Sequence, residues 1–311
     1  MQEREASEAR QVREAAQEEV VAILGAGGTM GLPMARNIAE AGIEVRAWNR
    51  TRERLGPLAD DGVEVLDTAA EASSGASMIL TIVSDAGAVD KVMEGSDGAL
   101  AGAEDDALWL QMSTIGIEGT ERCATLAEQN GLVLIDAPVV GTKKPAEEGK
   151  LTVLASGPDE TRSRCEPIFD AVGQKTVWLG EAGSGTRMKL VINSWILTLV
   201  EGLAETIAFA EGIDIDPALF LEVISGGPTD TAYAQLKGKM MIERSFEPSF
   251  KLGLASKDAG LVLEAMERHD LDLPLLETIR ERLAEAAQEH AEADMAAAYL
   301  ASAPRQHAGP G

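Results

Sequence analysis

Five consecutive apolar residues, Val20-Val-Ala-Ile-Leu24, run directly into Gly25-Ala-Gly27-Gly28-Thr-Met-Gly31. That junction restricts the fold more than any other stretch of the chain. A strand that is apolar on both sides has no face for water, so it belongs inside a sheet covered by helices above and below. The glycines permit a turn too tight for side chains and lead at once into a helical pattern over residues 30–41, stopped at Gly42. Strand, glycine turn and helix in that order open a βαβ unit, which requires a parallel sheet.

The alternation continues along the chain. Further strands are expected over 43–48, 63–66, 77–83, 107–111, 132–136, 151–155 and 176–179, with helices over 51–60, 86–94 and 119–130. Such alternation predicts an α/β doubly wound parallel sheet. After Gly180-Glu-Ala-Gly-Ser-Gly185 the strand signal stops. Helices are expected over 186–211, 217–225, 255–269 and 274–289, with a short one around Met295. The chain therefore reads as a polar N-terminal extension (1–19), a dinucleotide-binding domain (20–182), an all-helical domain (183–301) and a flexible tail (302–311).

At 311 residues, with 45% apolar and 25% charged residues, the chain has the composition of a soluble protein with two ordinary domains. Its 52 acidic and 27 basic residues give a net charge of -25. No nucleic-acid partner is expected from that balance, because phosphate binding needs a basic footprint. An anionic substrate would need a local positive site, for which Lys189 is a candidate. Cys123 and Cys165 form no disulfide framework, and His269, His290 and His307 do not cluster, so no metal site is expected. The charged N-terminus does not resemble a signal peptide, and the uncharged run over 190–200 is too short for a bilayer. A cytoplasmic protein with no membrane partner is the expectation.

The glycine turn carries the first chemical signal. Backbone N–H groups there can approach a pyrophosphate lying on the positive end of the following helix, so Gly25, Gly27, Gly28, Thr29, Met30 and Gly31 are candidate cofactor contacts. The spacing departs from G-x-G-x-x-G. Counted from Gly25 the loop is one residue long, and counted back from Gly31 it puts Ala26 in the first glycine's place. The second strand ends at Asn49-Arg50-Thr51. An acidic residue there would hold the ribose hydroxyls of NAD, whereas an arginine suits a 2′-phosphate. NADP(H) is thus the expected cofactor, with NAD(H) the alternative.

A second signal is Lys189, with Asn193 four residues on, in the most apolar helical stretch. Residues at that spacing share a helical face. A lysine in an apolar run ordinarily snorkels to water; the other reading is a proton donor whose pKa burial lowers from about 10.4.

Three motifs, together with Ser256-Lys257-Asp258, resemble the β-hydroxyacid dehydrogenases over residues 20–301. They are Gly27-Gly-Thr-Met-Gly31-Leu-Pro-Met-Ala-Arg-Asn37, Asp136-Ala-Pro-Val-Val-Gly-Thr-Lys-Lys-Pro-Ala146 and Gly185-x-x-x-Lys189-x-x-x-Asn193. The segment from Gly141 to Leu151 looks most like the glyoxylate and succinic semialdehyde reductases, which use NADPH to reduce a short aldehyde acid. The resemblance implies a Rossmann-type NADP-binding domain followed by a helical substrate and dimerisation domain. It makes Lys189 the general acid and Asn193 its neighbour at the substrate. Thr114 would lie beside the nicotinamide, Val83 and Ser84 would line the cofactor with backbone atoms, and Lys257 would reach it from the helical domain. Val140, Gly141, Thr142, Phe250 and Asp258 would form the substrate pocket.

One position departs from the pattern. The family carries a serine after Ala-Pro-Val, where its hydroxyl and nearby amides hold a substrate carboxylate; here Val140 stands instead. Losing that donor costs on the order of 1 kcal/mol, unless Thr142 or Lys143 replaces it. The resemblance leaves a 3-hydroxy acid dehydrogenase, an imine or ketone reductase, and a non-catalytic cofactor-binding scaffold as alternatives. Arg50 counts against NAD-linked oxidation, and the retained Lys189 counts against the last two. Finally, the long apolar helix, Trp195 included, carries more hydrophobic surface than one core needs, which predicts a homodimer or homotetramer.

Overall fold

The computed structural model describes residues 19–303. Most of the expected N-terminal extension and tail therefore lies outside the described residues. The chain divides into two compact units, one ending at Lys189 and one beginning at Leu190.

The first unit contains β1 (Val20–Leu24), α1 (Gly31–Glu40), β2 (Glu44–Trp48), α2 (Gly56–Asp60) and β3 (Glu64–Val65). It continues with α3 (Ala69–Ser73), β4 (Met78–Thr81), α4 (Ala86–Met93), β5 (Leu108–Gln111), α5 (Gly116–Gln129) and β6 (Val133–Asp136). These six strands form one parallel sheet in the order β3-β2-β1-β4-β5-β6. The order reverses at β1, whose neighbours are β2 and β4. The crevice beyond the carboxyl ends of strands at such a switch point is where doubly wound folds bind ligands. β1 is covered on both sides, as its unbroken apolar run requires: Val21 and Ile23 enter one core cluster, Leu24 and Ala22 the other.

The remaining strands depart from the expected single sheet. β7 (Val139–Val140), α6 (Lys143–Glu147), β8 (Leu151–Ala155), α7 (Arg162–Val172) and β9 (Gly173–Trp178) follow. β7, β8 and β9 form a separate three-stranded sheet, with β7 antiparallel and β9 parallel to β8. Pro138 has no N–H to extend a ladder, and the chain turns there from β6 into β7. Asp136 and Ser156 bridge the two sheets by exchanging backbone hydrogen bonds of 2.9 and 2.8 Å. Two-residue β7 is too short to show an alternating pattern, and α7 is masked in sequence by Pro167 within it.

A long helix, α8 (Ser184–Gly212), begins in the first unit and enters the second. At 29 residues it is long and apolar enough, by length and composition, to cross a membrane, which the uncharged run alone does not reveal. Leu197, Val200, Leu203, Ala204 and Ile207 are buried in the core of the second unit. Around them pack α9 (Pro217–Ile224), α10 (Ala232–Ile242), α11 (Leu252–Arg268), α12 (Pro274–His290) and α13 (Tyr299–Ser302). The second unit has no strand among its described residues. α10 is not anticipated, because Lys237 and Gly238 interrupt its apolar face.

Candidate functional site

The glycine turn is built by contacts that exclude side chains. Gly25 has φ +97°, and a Cβ there would sit 2.3 Å from the carbonyl oxygen of Ile82. A Cβ on Gly31 would sit 2.2 Å from the carbonyl oxygen of Gly25, and one on Gly27 would sit 2.8 Å from Asn49 Cγ. Gly25, Gly27 and Gly31 are therefore the required glycines, and the turn is counted from Gly25 with one residue inserted before Gly31. Gly28 is looser, its virtual Cβ 3.2 Å from the nearest atom. Thr29 is exposed and Met30 half-buried at the start of α1. The first turn of α1 holds no acidic residue, so nothing there opposes an anion at the positive end of the helix dipole.

Beside this turn, Asn49 is half-buried and its Nδ2 donates to the Thr51 carbonyl at 2.9 Å. Arg50 and Thr51 are exposed, and Arg50 forms no salt bridge among the described residues. Arg52 is tied to Asp67. Arg54, four residues past Arg50, lies against the turn: a Cβ on Gly27 would sit 2.8 Å from Arg54 Cβ. Arg54, in the short helical turn Arg52–Leu55, is thus a second cation close to Arg50 in sequence whose Cβ borders the glycine turn.

A buried polar network shapes the ends of β4 and β5. Gln111 Nε2 donates to the Ser113 carbonyl at 2.9 Å, and the Ser113 N–H donates to Gln111 Oε1 at 2.8 Å. Trp109 Nε1 donates to Thr81 Oγ1 at 2.9 Å. The Val83 N–H donates to Ser113 Oγ at 2.9 Å, so that backbone donor is spent inside the domain. Ser84 is exposed and its Oγ donates to Asp85 Oδ2 at 2.6 Å; Thr114 is half-buried past the end of β5.

Asp136, at the end of β6, seats the helix that carries Lys189. Its Oδ2 accepts the Thr186 N–H and its Oδ1 the Thr186 hydroxyl, both at 2.7 Å. Ser156 Oγ adds a bond to Asp136 Oδ2 at 3.2 Å and accepts the Gly185 N–H at 2.9 Å. Burial raises the Asp136 pKa against these bonds, which favour the charged form. A carboxylate at this end of α8 caps its first N–H groups and complements its dipole. Gly185 makes the approach possible, because a Cβ would sit 2.3 Å from the Leu154 carbonyl oxygen and 2.7 Å from that of Asp136. One turn on, Lys189 Nζ donates to the Val139 carbonyl at 2.8 Å. The motif from Asp136 to Val140 and the motif from Gly185 to Lys189 are thus two sides of one construction. Nothing in the local pattern reveals it, because Asp136 and Thr186 lie 50 residues apart.

Val140, in β7, pairs with Thr152 and is half-buried. Gly141 has φ +135°, with Leu151 Cδ2 2.6 Å from a virtual Cβ. Thr142 precedes α6 without capping it through its side chain. Lys143 is exposed and pairs with Glu147 at 3.9 Å.

Within the helical unit, three more candidates meet. Buried Asn193 donates through Nδ2 to Asp258 Oδ2 at 2.8 Å. Lys257 Nζ lies 2.9 Å from Asp258 Oδ1 but off the hydrogen-bond direction, an ion pair without a hydrogen bond. Phe250 is half-buried against the helical core. Its N–H donates to Asp294 Oδ2 at 3.2 Å, and its carbonyl accepts the Met295 N–H at 2.8 Å. Cys123 and Cys165 are buried free thiols that burial pushes up to about 12, unsuited to nucleophilic work.

The chain is similar to known proteins along both units. Residues 9–180 match the family model of the NAD-binding domain of 6-phosphogluconate dehydrogenase. Residues 183–301 match that of the NAD-binding region of NADP-dependent 3-hydroxyisobutyrate dehydrogenase. The chloroplastic glyoxylate/succinic semialdehyde reductase 2 of Arabidopsis thaliana is 30% identical over 248 residues, 80% of this chain and 69% of that one. The 2-hydroxy-3-oxopropionate reductase of Escherichia coli (strain K12) is 30% identical over 259 residues, 82% of this chain and 87% of that one. The structure of 3-hydroxyisobutyrate dehydrogenase from Mycobacterium tuberculosis with L-serine superposes with a TM-score of 0.82 at 27% identity, covering 91% of this chain and 98% of that one. The chain belongs to the β-hydroxyacid dehydrogenase family and is an NAD(P)-dependent oxidoreductase acting on hydroxy acids.

Proposed function

We propose that this enzyme is an NADPH-dependent reductase of short aldehyde acids, of the glyoxylate or succinic semialdehyde type, with Lys189 as general acid. The observation that carries the reading is the Lys189 ammonium, held by the Val139 carbonyl on a helix seated by Asp136. A lysine at this place is positioned by design of the surrounding backbone and is not a snorkelling surface chain. Two relatives, 30% and 27% identical to this chain, are named as glyoxylate/succinic semialdehyde reductases, which supports the substrate class.

The glycine turn fits a dinucleotide, since a Cβ at Gly25, Gly27 or Gly31 would fill the cradle. Gly27, Gly28, Thr29, Met30 and Gly31 would hold its pyrophosphate, and Arg50 with Arg54 its 2′-phosphate. When bound, the cofactor supplies a hydride. The chain's own part is to hold a proton on Lys189 Nζ for the oxygen that gains negative charge. Asn193 spends an Nδ2 hydrogen on Asp258, and its Oδ1 can act only as an acceptor. Val140 offers no hydroxyl to the substrate carboxylate; Thr142, whose hydroxyl is not used as a cap, takes that place.

The test is an NADPH-oxidation screen over glyoxylate, succinic semialdehyde, longer aldehydes, ketones and cyclic imines, run beside Lys189→Ala. Turnover surviving that change undiminished removes the assignment of Lys189. Cofactor choice is read separately by binding: Arg50→Asp is expected to weaken NADPH about tenfold or more relative to NADH, through lost charge-assisted contacts. An unchanged ratio of dissociation constants refutes the 2′-phosphate assignment.

The partner proposed for the helical unit is a second copy. Val191, Trp195 and Phe209 are 63%, 61% and 66% exposed, and at about 100° per residue they fall within one narrow stripe of α8. Apolar stripes of this kind mark association surfaces. Trp195→Lys is expected to shift the mass measured by light scattering toward the monomer, and an unchanged mass would reject this stripe as the interface.

A further inference from the structure

The first turn of α8 is held by more polar groups than a helix start needs. Thr186 and Lys189, three residues apart, share one helical face. Each binds the segment that leaves β6, at positions that are also three residues apart. Thr186 gives its N–H and hydroxyl to the Asp136 carboxylate, and Lys189 gives Nζ to the Val139 carbonyl. That carbonyl is available because β7 is the edge of its sheet, paired only with β8. The Leu154 N–H takes the Pro138 carbonyl at 2.9 Å, and alternation along an antiparallel strand then turns the Val139 carbonyl to the outer edge.

Two contacts on one segment fix a helix at two points but leave it free to roll about the line that joins them. A third contact off that line stops the roll. Thr120 on α5 supplies it: only 3% exposed, its Oγ1 lies 2.9 Å from Thr186 Oγ1. The hydrogen count sets the direction of this bond. A hydroxyl has one hydrogen, and Thr186 spends its own on the Asp136 carboxylate, which only accepts. Thr120 is therefore the donor to Thr186, and it shares that hydrogen with the Gly116 carbonyl at 3.0 Å. All of these residues belong to the first unit. A valine would fill the same volume without burying a hydroxyl, so packing alone does not explain a threonine at position 120.

We infer that Thr120 is a positioning residue for Lys189: with Thr186 and Asp136 it forms a hydroxyl–hydroxyl–carboxylate chain that stops α8 from rolling and so sets where the ammonium lies. Thr120 acts through Thr186 and touches no reacting atom. The consequence for catalysis rests on the reading of Lys189 as general acid, whereas the placement of the ammonium belongs to the first unit by itself. α5 thereby gains a part in the site that none of the sequence motifs shows.

The experiment reads Lys189 in two ways on the full-length enzyme. Its acetylation by an N-hydroxysuccinimide ester, resolved by peptide mass, reports how firmly the amine is held. A thiol reagent run in parallel reports whether Cys123, buried on α5 three residues past Thr120, becomes accessible. Thr120→Val is expected to raise the Lys189 rate about fivefold, the weight of one buried hydrogen bond, with Cys123 still protected. Thr120→Ser, which keeps the hydroxyl, is expected to hold the parent rate. An unchanged Lys189 rate in Thr120→Val overturns the inference. So does a rise shared by Cys123, which shows a general loosening of the fold, or an equal rise in Thr120→Ser, which assigns the effect to the lost methyl packing. If Thr120→Val does not fold, Thr186→Val and Thr186→Ser are read with the same criteria. NADPH oxidation with succinic semialdehyde then separates the two readings. In Thr120→Val kcat is expected to fall about fivefold, with the NADPH dissociation constant within about twofold of the parent. A raised labelling rate with unchanged kcat upholds the positioning and removes Lys189 as the acid.

Discussion

Lys189 and Lys237 are both drawn out of water on helices, yet they are held in opposite ways. Lys237 is fully buried and faces a carboxylate at 2.6 Å, with a serine hydroxyl beside it. Lys189 is half-buried and donates to a neutral backbone carbonyl at 2.8 Å. A carboxylate neutralises an ammonium and fixes it as part of the fold. A backbone carbonyl positions an ammonium through a hydrogen bond, and a positioned ammonium is what a forming alkoxide would need. The two lysines thus differ both in burial and in these partners.

Removing each ammonium in turn should separate the roles. Lys189→Ala is expected to lower kcat by about 10²–10⁴, the usual contribution of a positioned acid, while moving the melting temperature little. Steady-state kinetics beside a thermal melt checks both halves. Lys237→Met is expected to act the other way, costing about 3–5 kcal/mol of stability because Asp294 is left buried and uncompensated. Denaturant unfolding reads that loss, and a variant as stable as the parent would place Lys237 with Lys189.

Glu201 on α8 is a third buried charge and sharpens the comparison, because its partner is poor. Its carboxylate lies 3.8 Å from Arg282 Nε and forms no hydrogen bond among the described residues. Burial pushes its pKa up to about 7, with Arg282 opposing the shift and Glu205 and Glu285 adding to it. Arg282 itself is shared with Glu285, the Ala301 carbonyl and Ser302. The folded pKa stands above the unfolded value near 4.5, so the folded state holds the extra proton. Stability from this group is complete below about pH 4.5 and is lost as pH rises through about 7, a difference on the order of 3 kcal/mol. Thermal melts between pH 5 and 8 should show that decline for the parent and a flatter profile for Glu201→Gln. Identical profiles would show that Glu201 is charged throughout.

The smallest expected effect concerns the seat of Lys189. Asp136→Asn keeps a carbonyl acceptor but loses the charge at the start of α8, costing about 1 kcal/mol of capping. Activity should fall modestly with it, and a variant with unchanged melting and unchanged kcat would separate the cap from the positioning of Lys189.

Much of this was legible before any fold was known. The glycine turn, the strand before it and the helix after it are contiguous, so local sterics and hydrophobic periodicity expose them. Lys189 and Asn193 show themselves through helical spacing within one apolar run. Arg54 was within reach of the same reasoning, four residues past Arg50. By contrast, Asp136 stands in a quoted motif without any sign that it caps α8, and Lys237 sits in a polar-looking stretch next to Gly238. Val140 shows only that a hydroxyl is missing, and its neighbour Thr142 gains significance from being unused as a cap.

The sequence by itself determined the parallel α/β unit, the helical unit after it, the cradle for a dinucleotide and the lysine at the helix entrance. Each depends on residues close enough in the chain to share a turn or a face. Tertiary structure alone decided that β7, β8 and β9 leave the main sheet, that Asp136 and Gly185 seat the helix that carries Lys189, and that Asp294 gathers Lys237, Ser249 and Phe250. The last two bring together groups 44 to 57 residues apart, where the cost of burying a charge is met by partners that no local pattern names.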